Sequence, residues 1–140
     1  VYNIACAQLF FGRPTDMTVT GVLGGGVDLS CDAVLDYGGV RADLHASLTA
    51  KSPAEHFTVV CERGTLHIPR FYAADAFTVT REDGKRAPYV FEKVNGYTYQ
   101  TAHFAELIRS GAIESPIRSF SDTLATMDTA TRMMRALYPA

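Results

Sequence analysis

The stretch VRADLHASLTA, residues 40–50, puts Val40, Ala42, Leu44, Ala46 and Leu48 in one phase and Arg41, Asp43, His45, Ser47 and Thr49 in the other. An apolar set with period two can be buried on one side only by a β-strand, whose successive side chains point to opposite faces. MTVTGVL and VDLSCDAVLDY repeat this alternation just upstream. Gly24-Gly25-Gly26 and Gly38-Gly39 separate the three stretches and mark turns. HFTVVCERGTLHIP predicts two further strands around Arg63-Gly64, and AFTVTRED with APYVFEKV predicts another pair around Gly84. The total is about six or seven strands with short links, and short links favour antiparallel pairing because a parallel crossover needs roughly a dozen residues or more.

The two ends of the chain have a helical period instead. Residues 1–11 carry only Asn3 and Gln8 as strongly polar side chains, so a helix there is expected to be buried on nearly all sides. Gly12 and Pro14 end it. From Tyr97, a second helix sets Phe104, Leu107 and Ile108 opposite Glu106 and Arg109 and stops at Gly111. A third follows the capping residues Ser119 and Asp122, with an expected apolar stripe of Leu124, Met127, Thr131, Met134 and Tyr138. Arg132 and Arg135 suit its negative end, and Pro139 closes it. The predicted fold class is α+β: an open, mostly antiparallel sheet of about six strands with helices packed on one face.

Composition narrows the function. A net charge of −2 argues against a polyanionic partner such as nucleic acid. No apolar run reaches the roughly 20 residues that span a bilayer. Cys6, Cys31 and Cys61 are scattered and odd in number, which suits a reducing cytoplasm better than a disulfide framework.

Few residues suggest chemistry by themselves. The glycines of GVLGGGVD precede an alternating strand, whereas a phosphate-binding loop must open a helix, so a turn is expected. His45, His56, His67 and His103 lack metal-site spacing, and Cys61 with His67 falls short of the three or four ligands that a site needs. His103, Ser121 and Asp122 could be drawn as a triad, yet the place of Ser121 before a helix explains it as part of a cap. Met127, Met133 and Met134 are expected to fill core space. Glu106 and Arg109 are expected to form a solvated pair one turn apart. Glu82, Asp83, Lys85 and Arg86 surround Gly84 at an exposed hairpin tip.

The order of these segments resembles the end of the Gfo/Idh/MocA oxidoreductases, the glucose–fructose oxidoreductase-like family. CERGTLHIPRF matches a glycine hairpin of the form G-x-i-x-i-P. GYTYQTAHFAELIRSGAIESPIRSFSDTLATMDTATRMMRALYP matches an aromatic, a helix ending in glycine, an acidic residue with Ser-Pro, and a terminal helix ending near Tyr-Pro. Gln100 stands where the family commonly has Glu. The resemblance covers essentially the whole chain.

It implies a two-domain parent. An N-terminal Rossmann domain, absent from this chain, would bind NAD or NADP, and residues 1–140 would be a single α+β domain for substrate binding and dimerisation. The family also has a segment like D-x-G-x-[YH] that enters a helix ending in G-x-P. Here VY…FFGRP matches its tail, with Val1 at the variable position and Tyr2 at the Tyr/His position; the Asp and Gly would precede Val1. The resemblance therefore implies that Tyr2 gives or takes a proton at the substrate hydroxyl or carbonyl while a hydride moves to or from nicotinamide. Packing of the helix is the other reading of Tyr2.

The expected protein is cytoplasmic. It is an oxidoreductase acting on a sugar, polyol or related compound, homodimeric or larger through its sheet face, with no nucleic-acid or membrane partner. The isolated chain is expected to be inactive. The alternative is a stand-alone, non-enzymatic ligand-binding or assembly module that uses the same sheet.

Overall fold

A computed structural model describes residues 1–51, 55–92 and 94–139. The chain forms two compact units, one of residues 1–51 with 114–140 and one of residues 52–113. The fold class is α+β, and every strand pair is antiparallel.

The first unit holds α1 (Tyr2–Phe11), β1 (Asp16–Gly24), β2 (Val27–Asp36), β3 (Arg41–Ser47) and α3 (Phe120–Leu137). Its three strands lie in the order β1-β2-β3. Gly25 and Gly26 both have positive φ, 62° and 83°, as the tight turn between β1 and β2 requires. Ala33 of β2 lies opposite Leu44 of β3, and both are buried with Leu35, Ile4 and Ala7. The alternation in residues 40–48 holds only at the middle of β3: Leu44 is buried and Asp43 and His45 are exposed, whereas Ala46 is exposed and Val40 and Leu48 lie outside the strand, 45% and 76% exposed. Gly21 of β1 meets a tighter demand. A Cβ there would lie 2.4 Å from the Ser30 carbonyl oxygen and 2.9 Å from Cδ2 of Leu137 on α3.

The second unit holds β4 (Phe57–Cys61), β5 (Gly64–Ile68), β6 (Ala76–Arg81), β7 (Arg86–Val90) and α2 (Gly96–Ser110), with a 3-10 turn at Phe71–Ala73. Its strands run in the order β4-β5-β6-β7. Gly64 has φ 150°, and a Cβ there would lie 2.3 Å from the Thr80 carbonyl oxygen of β6, so only glycine lets β5 start beside β6. The Phe77 ring stacks on Tyr89 at 4.6 Å and reaches Phe91 at 5.8 Å. Asn95 caps α2 by accepting from Tyr97 N at 3.0 Å, and Gly111 ends it in the left-handed conformation with φ 69°. The expected Glu106–Arg109 pair forms at 2.9 Å on the exposed surface. Phe104 and Ile108 are also exposed.

All three helix faces differ from expectation, α2 because the stripe of Phe104 and Ile108 is exposed and no residue of the helix is buried. In α1 only Ile4 and Ala7 are buried, while Leu9 is 74% exposed and Phe10 42%. Its apolar content exceeds what the three-stranded sheet and α3 cover. In α3 the bulky stripe points outward: Leu124 is 68% exposed and Met127 51%, with Met134 also exposed. The buried side is Ala125, Thr126, Thr129 and Leu137, with Ala130 and Met133 packed on the core. Small residues let α3 approach Gly21 and α1 closely, so close packing overrides the larger hydrophobic signal. Of the three methionines, Met133 alone takes the expected core place.

Candidate functional site

Tyr2 is the first residue of α1 and is 70% exposed. The burial of Ile4 and Ala7 against β2 and β3 sets the roll of the helix. Polar bonds set its position along the axis. Asn3 Nδ2 donates to the His45 carbonyl oxygen at 2.7 Å. Five residues on, Gln8 Nε2 donates to the Asp122 carbonyl oxygen at 3.0 Å, and Gln8 Oε1 accepts from Thr126 Oγ1 at 2.5 Å. Arg118 Nη2 donates to the same Thr126 oxygen. Thr126 is 2% exposed, so this chain of bonds is shielded where it joins the two helices. Arg13, just past α1, donates to the Ser121 carbonyl and hydroxyl oxygens. The phenol of Tyr2 thus stands in the open at the end of a helix fixed at both ends.

Ser119 and Asp122 form a reciprocal cap. Ser119 Oγ accepts from Asp122 N at 3.1 Å, and Asp122 Oδ2 accepts from Ser119 N at 2.9 Å. The Ser119 hydroxyl bond holds the Asp122 carboxyl below its ordinary pKa. These residues start a helix, as the sequence indicates, and Ser121 is engaged by Arg13.

The other candidates separate. His67 Nδ1 lies 2.9 Å from Thr58 Oγ1, and its ring is 5.5 Å from that of His56. Cys61 pairs with Gly64 three rungs away, roughly 10 Å along the hairpin. Among the described residues no group of three or more His, Cys, Asp or Glu side chains is placed to hold a metal. All three cysteines are free. Burial raises the Cys6 thiol, and burial followed by Asp28 and Asp32 raises that of Cys31, so neither is primed as a thiolate.

One pairing escaped the sequence reading. His45 Nδ1 lies 2.7 Å from Asp32 Oδ1 on the side of the sheet away from α1. Asp32 and His45 are direct cross-strand partners, and no spacing within either strand reveals such a register. Thr20 completes that row on β1.

Gly24-Gly25-Gly26 joins two antiparallel strands, with no helix start behind it to face a phosphate. No described helix is long and apolar enough to cross a membrane.

No family model matches the chain, and no curated protein matches it by sequence. Its fold is nonetheless similar to known structures. With UDP-N-acetylglucosamine 3-dehydrogenase from Acidithiobacillus ferrooxidans it shares a TM-score of 0.84 at 14% identity, over 97% of this chain and 45% of the other. With an oxidoreductase from Bacillus cereus the TM-score is 0.65 at 16% identity, over 98% and 47%. The chain thus has the fold of a region that makes up less than half of each of these oxidoreductase structures.

Proposed function

We propose that this chain is the C-terminal substrate-binding and oligomerisation domain of an NAD(P)-dependent oxidoreductase of the Gfo/Idh/MocA type. The substrate would be a sugar, polyol or related hydroxyl or carbonyl compound. The observation that carries this reading is the match over 97% of the chain to under half of a sugar-nucleotide dehydrogenase. The surplus apolar surface supports it: Leu9 and Phe10 of α1 and Leu124 and Met127 of α3 suit a unit whose covering surface is supplied by more polypeptide. NAD or NADP would be held by that further polypeptide, since the glycines of this chain form a hairpin turn.

Tyr2 is the residue proposed for chemistry. Oxidation of a hydroxyl releases a proton and reduction of a carbonyl needs one, and an exposed phenol on an anchored helix can serve either direction. Asn3, Gln8 and Thr126 hold the helix that carries that phenol. A second copy of the chain would pair through the side of the first sheet that bears Thr20, Asp32 and His45. Sedimentation that shows only monomer at high concentration would count against such pairing.

The test is made on the full-length polypeptide, with a panel of sugars and polyols and both nicotinamide cofactors. Turnover is expected, and Tyr2→Phe is expected to lower kcat by about 10²–10⁴. No turnover with any pair would defeat the reading, as would turnover by residues 1–140 alone.

A further inference from the structure

A cavity of about 450 Å³ lies in the second unit between two connections. One is the β5–β6 link, with Arg70, Tyr72 and Asp75. The other is the β7–α2 link, with Phe91 and Glu92, and Tyr99 stands on the first turns of α2. The links are tied together where Phe91 N donates to the Asp75 carbonyl oxygen at 2.9 Å.

The three rings are half-exposed or more: Tyr72 52%, Phe91 55% and Tyr99 65%. Two of them are braced from behind. Phe91 rests on Phe77, and Tyr72 meets Phe71 edge-on at 6.1 Å. Tyr72 Oη also donates to Glu55 Oε2 at 2.6 Å. That bond raises the Tyr72 pKa and keeps its ring neutral. Aromatic faces held in this way and left open to solvent are preorganised for a ligand.

The charges sort themselves unevenly. Arg70 Nη2 donates to both oxygens of Asp75, at 3.3 and 3.1 Å, so that pair is self-neutralised. Asn95 already caps the start of α2. Among the described residues that line the cavity, Glu92 is the one charged side chain with no partner. Arg70 is also the one non-glycine with positive φ among the described residues, at 49°. Backbone strain of this kind gathers at ligand-binding positions.

We propose that this cavity binds a small organic cation, a quaternary or alkylated ammonium, with the cationic head against the rings of Tyr72, Phe91 and Tyr99 and its charge answered by Glu92. Ring faces attract cations through their quadrupole, and a nearby carboxylate adds to the field. A bare metal ion would keep its water shell, and an anion would face Glu92. The site is independent of the oxidoreductase reading.

The probe is choline, titrated into the 140-residue chain and followed through the aromatic side-chain NMR signals. Saturable shifts are expected at Tyr72, Phe91 and Tyr99. 3,3-Dimethyl-1-butanol, the neutral isostere, is expected to bind about tenfold more weakly, the difference that a cation–π site makes. Glu92→Gln is expected to weaken choline binding about fivefold while leaving the isostere unchanged. Tyr99→Ala, at an exposed helical position, is expected to weaken both. Equal binding of choline and its isostere, an unchanged affinity in Glu92→Gln, or the absence of saturable shifts would each overturn the proposal.

Discussion

Thr126 and Thr129 are a natural pair of probes, because both are buried in α3 and differ in what their hydroxyls reach. Thr129 Oγ1 donates only to Ala125 O, one turn back in its own helix, at 3.0 Å. Thr126 Oγ1 can give its proton to Gln8 Oε1 on α1, and it accepts from Arg118. Valine keeps the shape of threonine and removes the hydroxyl. Thr129→Val leaves behind a carbonyl already bonded in the helix, so its cost should stay under about 0.5–1 kcal/mol. Thr126→Val strips partners from two other side chains, one of them charged. Each orphaned polar group costs about 1–3 kcal/mol when buried. Gln8 and Arg118 are only half-buried and recover part of that from water, so a net loss of about 2 kcal/mol is expected. Urea unfolding of residues 1–140, read by circular dichroism with comparable slopes, measures both. A cycle with Gln8→Leu should return a coupling of about 1 kcal/mol for Gln8–Thr126 and none for Gln8–Thr129. If Thr126→Val costs no more than Thr129→Val, the network does not fasten α1 to α3, and the account of how Tyr2 is positioned fails.

Other perturbations test other links. Leu35→Ala, at a fully buried side chain in the first core, should cost about 2–5 kcal/mol in the same assay. Gly21→Ala must push against the Ser30 carbonyl and Leu137, and should cost about 1–3 kcal/mol, where Gly25→Asn at the open turn should be nearly neutral. Leu124→Lys and Met127→Lys should change stability by less than about 0.5 kcal/mol, because those side chains face outward; a large loss would restore them to the core. Asp122 has a folded pKa below its ordinary 3.8, so the stability it contributes is present above that value and lost as pH falls through the folded pKa. Acid titration of unfolding should therefore show a steeper limb below about pH 4 in the native chain than in Ser119→Ala, which lacks the largest cause of the shift.

The strands were legible because alternation, glycine turns and short links all point the same way. Leu44 inside and His45 outside follow from one phase, Gly25-Gly26 sit where the turn calls for positive φ, and Gly64 sits where only glycine fits. The caps were legible too: Ser119 with Asp122 and Gly111 act where their chemistry indicates. The faces of α1 and α3 were not. A stripe of Leu124, Met127 and Met134 carries the greater hydrophobicity, yet Ala125, Thr126 and Thr129 go inside, because interhelical distance rewards small size and a hydroxyl with a partner. Hydrophobicity alone cannot report that. For the site, Tyr2 owes its nomination to family resemblance, whereas the Asp32–His45 pair and the cavity around Glu92 depend on register and loop packing that no local spacing encodes.

In sequence, the second compact unit interrupts the first. The chain leaves the first at residue 51 and re-enters it at 114, and the Gln8–Thr126 bond joins positions 118 apart. A ribosome therefore delivers every residue of the second unit before the helix that closes the first exists. The second unit, with its successive hairpins, can assemble from local contacts during synthesis. The first must hold α1 and its three strands with an unfilled flank until α3 emerges. For that interval the surface that α3 will cover is a hazard for aggregation, and the nascent chain is at its most vulnerable just before α3 emerges.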